Sequence, residues 1–305
     1  SRTHLASTVM IEFKNRISLE VTEGSKVDLA EVGPLTEIPI AGIATVKASM
    51  HSPLTHPKLT GDISVQDFVF GGLPVGQVES GKWEFEPLKL ILTDVHVTKR
   101  RPEVAAGGPS SHFRASRARI AFDEGAKVLI DADVDTNEAP HLEVHDLLEI
   151  FNMDKVSYQG RTLPDPRWAE IHARAVGNVH VHCAAGGRED RCGQGFLRVD
   201  GALHLLRPEL YGETYDEGDL ELGLVWDDRR AGANGMKLDV RSAILRKGTG
   251  SITATAVVRH GGVLRAQALA SGVPIGSLDV LGKWGKKFDG TMSAVPLYAS
   301  DPPHV

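Results

Sequence analysis

Apolar residues at every second position, punctuated by glycine and proline, are the feature that most narrows what this chain can fold into. In Pro57-Lys58-Leu59-Thr60-Gly61-Asp62-Ile63-Ser64-Val65-Gln66-Asp67-Phe68-Val69-Phe70, a period of two puts the dry side chains on one side of an extended segment and the wet ones on the other. The same grammar returns at 195–205, 218–226 and 250–258. A long run of antiparallel strands is the fold class it predicts. With 32 glycines, 16 prolines and only 6% aromatic residues, the composition fits many short strands turned at frequent intervals.

Along the chain, residues 1–50 hold about four strand-like runs, including 17–21 and 26–29, closed by Gly33-Pro34 and Pro39. Three longer strands follow between Pro53 and Arg100, with turns at Gly71-Gly72 and Glu86-Pro87. Residues 102–110 form a loop, and strands resume at 113–122 and 128–134 around a hairpin turn at Gly125. Helical periodicity is confined to 144–151 and 277–284, and these two segments resemble each other. Asp146, Leu147-Leu148 and Phe151 align with Asp279, Val280-Leu281 and Trp284 at one offset. This marks an internal repeat of strands, then a short helix. The expected units are 1–157 and 158–305, joined through the proline-rich 158–166. Roughly sixteen strands at ~4.8 Å each would make a sheet about 75 Å long, which must curl or be covered.

A net charge of -6, from 34 basic and 40 acidic residues, offers no global attraction to a phosphate backbone, so nucleic acid is not an expected partner. No run of eighteen apolar residues suggests a membrane-spanning helix, and nothing signal-like follows Ser1, so the chain reads as a piece of a longer polypeptide. Cys183 and Cys192 flank a loop-like run and can either bridge a hairpin as a disulfide or remain free thiols.

The pattern Pro-x-Leu-x-Gly-x-Ile-x-Val-x-Asp-Phe at 57–68, followed by Leu73-Pro74-Val75-Gly76-Gln77-Val78, resembles the strand repeats of the translocation and assembly module (TamB) and AsmA-like family. The stretch 270–281, running on to Phe288-Asp289-Gly290-Thr291, is similar to that family's short-helix-then-strand element. The resemblance covers about residues 40–298 and rests on rhythm, with no signature residue. It implies a β-sheet rolled into an elongated groove in the periplasm of a diderm cell envelope, the full-length protein being anchored in the inner membrane. The implied role is non-catalytic: sheltering phospholipid between the inner and outer membranes. The alternative it implies is a scaffold for outer-membrane protein assembly, pairing strand edges with a barrel partner.

Alternation names the groove-facing candidates: Ile63 and Val65, Trp83 and Phe85, and Leu220, Leu222, Leu224 and Trp226. The same residues would equally fill a sealed β-sandwich. Asp62, Ser64, Gln66, Lys82, Glu84 and Glu221 take the opposite faces.

Residues that could carry chemistry are sparse. His180 and His182 share one side of a strand at a spacing seen in some metal sites, but no third ligand stands at a diagnostic spacing, and no metal is expected. Asp131, Asp133 and Asp135 have the spacing of a calcium loop, yet Thr136 and Leu142 occupy its required glycine and glutamate positions. Lys99-Arg100-Arg101 reads as a solvated strand end that guards the sheet edge, or as a contact for lipid phosphates or an acidic partner. Neither a nucleophile elbow nor a phosphate loop nor a dinucleotide fingerprint occurs, so neither catalysis nor a cofactor is expected.

Overall fold

The computed structural model describes residues 3–12, 16–36, 40–53, 55–70, 72–100, 110–123, 127–151, 153–158, 161–164, 168, 170–183, 196–227, 236–259, 264–279 and 291–300. The first part runs β1 (Ser7–Glu12), β2 (Arg16–Asp28), α1 (Leu29–Thr36), β3 (Ile40–Pro53), β4 (Leu59–Phe70), β5 (Leu73–Glu86), β6 (Lys89–Lys99), β7 (Ser111–Asp123) and β8 (Lys127–Asp135). There follow β9 (Leu142–Glu143), α2 (Val144–Ile150), β10 (Lys155–Tyr158), β11 (Arg161–Pro164), β12 (Ile171–Cys183) and β13 (Phe196–Leu210). Last come β14 (Glu213–Thr214), β15 (Glu217–Asp227), β16 (Met236–Lys247), β17 (Gly250–Arg259), β18 (Leu264–Pro274), a 3₁₀ turn at Ile275–Ser277 and β19 (Thr291–Ser300).

The fold is all-β, as the alternation predicts. Seventeen strands form one large antiparallel sheet not closed into a barrel, and β10 and β11 pair separately. Each strand from β2 to β8 pairs with the next, and so does each from β15 to β19. Hairpin turns fall where glycine and proline place them. Phe70 opposes Leu73 with Gly72 at φ 80°, and Glu86 opposes Lys89 with Leu88 at φ 64°.

The chain divides into two compact units. The first comprises Ser1–Ala139 and His180–Phe196; the second comprises Pro140–Val179 and Leu197–Val305. In the first, Ala44, Val65, Val78, Val95 and Val97 form a buried cluster against which Leu29, Phe68, Val75 and Phe113 pack. Each such valine removed from water contributes about 1.5–3 kcal/mol.

One departure from the alternation has a local cause. A strand through Leu29 with a stop at Gly33-Pro34 is expected, whereas the chain turns into α1. Asp28 starts it: its carboxylate accepts the Ala30 N–H at 3.0 Å, and Glu31 sits at the positive end of the helix. The helix expected at 144–151 is α2. The one expected at 277–284 is described only as far as its 3₁₀ turn and Asp279, and its remainder lies outside the described residues.

The two short helical segments occupy matching places. Strands β5 to β8 precede α2, and β15 to β18 precede the 3₁₀ turn. A buried lysine ends the second strand of each run. Lys99 donates to the Pro74 carbonyl at 3.2 Å in the first unit, and Lys247 donates to the Thr214 carbonyl at 2.7 Å in the second.

Candidate functional site

In an antiparallel pair, residues directly opposite each other share a face, so the register assembles the surface that alternation predicts strand by strand. One rung of the first unit runs Leu19, Met50, Leu59, Phe85, Leu90, Ile120 and Ile130 across β2 to β8. The next runs Val21, Ala48, Gly61, Trp83, Leu92, Ala118 and Ala132. No polar residue interrupts either one. Six strand spacings of ~4.8 Å make each rung roughly 29 Å long. Ile63, Val65, Trp83 and Phe85 all lie on this face.

The face is sealed at Val65 and opens at Phe85, although Met50 and Ile130 on the Phe85 rung are themselves buried. Val65 is 3% exposed, sealed by the valine cluster and by Leu29, Phe68 and Phe113 around it. Ile63 and Trp83 are half-buried, and Phe85 is 37% exposed. The gradient follows from where α1 and the aromatic side chains pack.

In the second unit Leu220 opposes Ala243, which opposes Ala254 and then Ala268; Leu222 leads likewise to Val240, Ala256 and Ala266. Leu224 opposes Leu238, which opposes Val258. Leu222 and Leu224 are buried and Leu220 is half-buried. A β-carbon added to Gly201 would lie 3.4 Å from Leu222 Cδ1, so the leucine covers a position that has no side chain. Trp226 stands opposite Met236, and its side chain lies outside the described residues.

The other face of the first unit is a ladder of charges. Lys47, Asp62, Lys82, Thr93, Arg117 and Asp133 stand successively opposite one another across β3 to β8. A hollow of about 740 Å³ lies against this part of the sheet, lined by Glu20, Lys47, Asp62 and Lys82 together with Val21, Ala48, Trp83 and Ile91. Lys58 meets Glu84 at 2.7 Å and holds its carboxyl below the usual glutamate range.

Residues the sequence kept apart meet across β8 and β12. His180 Nδ1 lies 2.9 Å from Asp133 Oδ1, and His182 Nδ1 lies 3.6 Å from Asp131 Oδ2. The imidazoles stack with centroids 6.0 Å apart. All four are substantially solvent-exposed. Lys99, which reads from sequence as a solvated strand end, is 6% exposed instead; Arg100 is exposed, and Arg101 lies outside the described residues. So do Cys192 and the side chain of Cys183.

The densest polar cluster belongs to the second unit. Lys247 donates to Glu213 Oε1, to the Thr214 carbonyl and, at 2.9 Å, to Asp279 Oδ2. Burial pulls the ammonium pKa down, and the Glu213 and Asp279 carboxylates outweigh it, leaving it above the ordinary lysine range. Burial likewise raises the neighbouring Tyr215 hydroxyl. An ammonium with all three donors engaged ties chain segments together.

Among the described residues no helix is long and apolar enough to cross a membrane. No family model, curated protein or solved structure matches the chain.

Proposed function

We propose that the chain is a non-catalytic segment of a periplasmic β-groove of the TamB or AsmA-like kind, whose apolar face shelters phospholipid acyl chains between the inner and outer membranes. The observation that carries this reading is the pair of unbroken apolar rungs across β2 to β8. An acyl chain resists water at ~0.8 kcal/mol per methylene, so a sixteen-carbon tail leaving a bilayer faces roughly 12 kcal/mol. Side chains along the whole path replace the water and lower that barrier. Transit favours many near-equivalent aliphatic contacts over one deep well, and the rungs offer repeated valine, leucine, isoleucine and alanine.

A photoreactive amino acid at Phe85, compared with one at Glu84 on the opposite face, tests the reading in cells. Phospholipid adducts at position 85 and none at 84 are the expected result. Equal labelling, or adducts only to protein, would overturn it.

A further inference from the structure

Three side chains that the alternation leaves unremarked converge on the polar side of the first unit. His96 of β6 alternates with Val95 and Val97, and His112 of β7 precedes Phe113, so both face away from the apolar rungs. Their rings stack with centroids 5.5 Å apart, and His96 Nδ1 lies 3.4 Å from His112 Nε2. Glu138, just beyond β8, closes the triangle. Its Oε2 is 3.6 Å from His96 Nδ1 and 3.7 Å from His112 Nδ1.

The hydrogen-bond pattern around this triangle sets up a ligand. Asp94 Oδ1 stands 3.2 Å from His96 Nε2, which keeps the ring proton on that nitrogen and turns the Nδ1 lone pair toward Glu138 and His112. A carboxylate holding the outer nitrogen of an imidazole in this way is the arrangement that orients metal-bound histidines. Asp94 reaches the position from a bulge in β6, at φ 55°. The His112 side chain is only 9% exposed, yet its Nδ1 has no hydrogen-bond partner. A lone pair facing a carboxylate at this range is repulsive unless a cation or proton lies between them.

We infer that His96, His112 and Glu138 bind one divalent transition-metal ion, zinc being the best match to two imidazoles and a carboxylate. Ligands 2.0–2.1 Å from a tetrahedral zinc stand about 3.3–3.4 Å from each other, a few tenths of an ångström less than the separations of Glu138 Oε2 from His96 Nδ1 (3.6 Å) and from His112 Nδ1 (3.7 Å). Three protein ligands leave a fourth position, on the side where Glu138 is half exposed. Arg114, which stands opposite His96, is engaged by Asp94 at 2.6 Å and Asp135 at 4.0 Å. Bound metal would tie the segment after β8 to the β6–β7 pair.

Titration of the untagged chain with Co²⁺, followed by its visible d–d absorption, tests the site. One equivalent with tetrahedral intensity is expected, displaced by Zn²⁺. Glu138→Gln, at a half-exposed position that leaves folding intact, should weaken binding at least about tenfold, and Asp94→Asn about 10-fold to 100-fold. Zn²⁺ should raise the Tm of the wild type and not that of Glu138→Gln. The double variant His180→Asn/His182→Asn, at the exposed histidine pair, should keep the absorption. Absent bands, bands unchanged by Glu138→Gln, or bands lost only in the His180/His182 variant would overturn the assignment.

Discussion

Trp83 stands directly across from Gly61, and its indole N–H donates to the adjoining Asp62 carbonyl at 3.3 Å. An aromatic ring set against a strand glycine shields the backbone that the missing side chain would expose. The glycine is required on its other flank as well: a β-carbon there would lie 1.8 Å from the Lys47 carbonyl oxygen. Gly61→Ala should therefore force β3 and β4 apart, costing about 1–3 kcal/mol or more. A lower urea midpoint with an unchanged slope is the expected outcome.

The exposure gradient on the apolar face predicts two different responses to charge. Val65→Asp would bury a carboxylate without a partner, and should cost upwards of about 3 kcal/mol in urea unfolding. Phe85→Glu, at the open end, should stay within about 1 kcal/mol of wild type while reducing retained phospholipid measured by mass spectrometry. Equal destabilisation by both would mark Phe85 as core.

Much of this surface was legible in the sequence because a strand's period of two survives wherever neighbouring strands stay in register. Leu220, Leu222 and Leu224 could be placed on one face without knowing their partners. Bulges are not legible in that way. Arg241 is the extra residue where β16 slips against β15, and the slip lets its guanidinium reach Asp200 Oδ1 at 2.6 Å and the Leu222 carbonyl at 2.5 Å. The His96, His112 and Glu138 triangle was hidden for a related reason. Its members come from β6, from β7 and from beyond β8, and only the pairing of those strands brings them together. His180 and His182 are paired by their spacing in the sequence, but their partners Asp133 and Asp131 come from another strand, β8.

The Lys247 cluster predicts a strong asymmetry between single and paired substitutions. Lys247→Met leaves the buried Glu213 carboxylate without its cation and should cost about 3–5 kcal/mol. Adding Glu213→Leu removes the stranded charge and should recover at least half of that loss. Urea unfolding of the two variants checks this, and a double variant no more stable than the single one would contradict it.

The same cluster sets an alkaline limit on stability. The folded-state pKa of Lys247 is raised, so its contribution is complete below the unfolded lysine value of about 10.4 and is lost as pH climbs through the higher folded value. Tyr215, raised chiefly by burial, acts in the same direction: above about pH 10 the unfolded state gives up the phenolic proton more readily than the folded state. In both cases the unfolded chain binds fewer protons, so stability falls with pH. Tyr215→Phe should show a shallower decline in Tm between pH 9 and 11 than the wild type, with the two curves parallel below pH 9. Equal slopes throughout would show that Tyr215 titrates alike in both states.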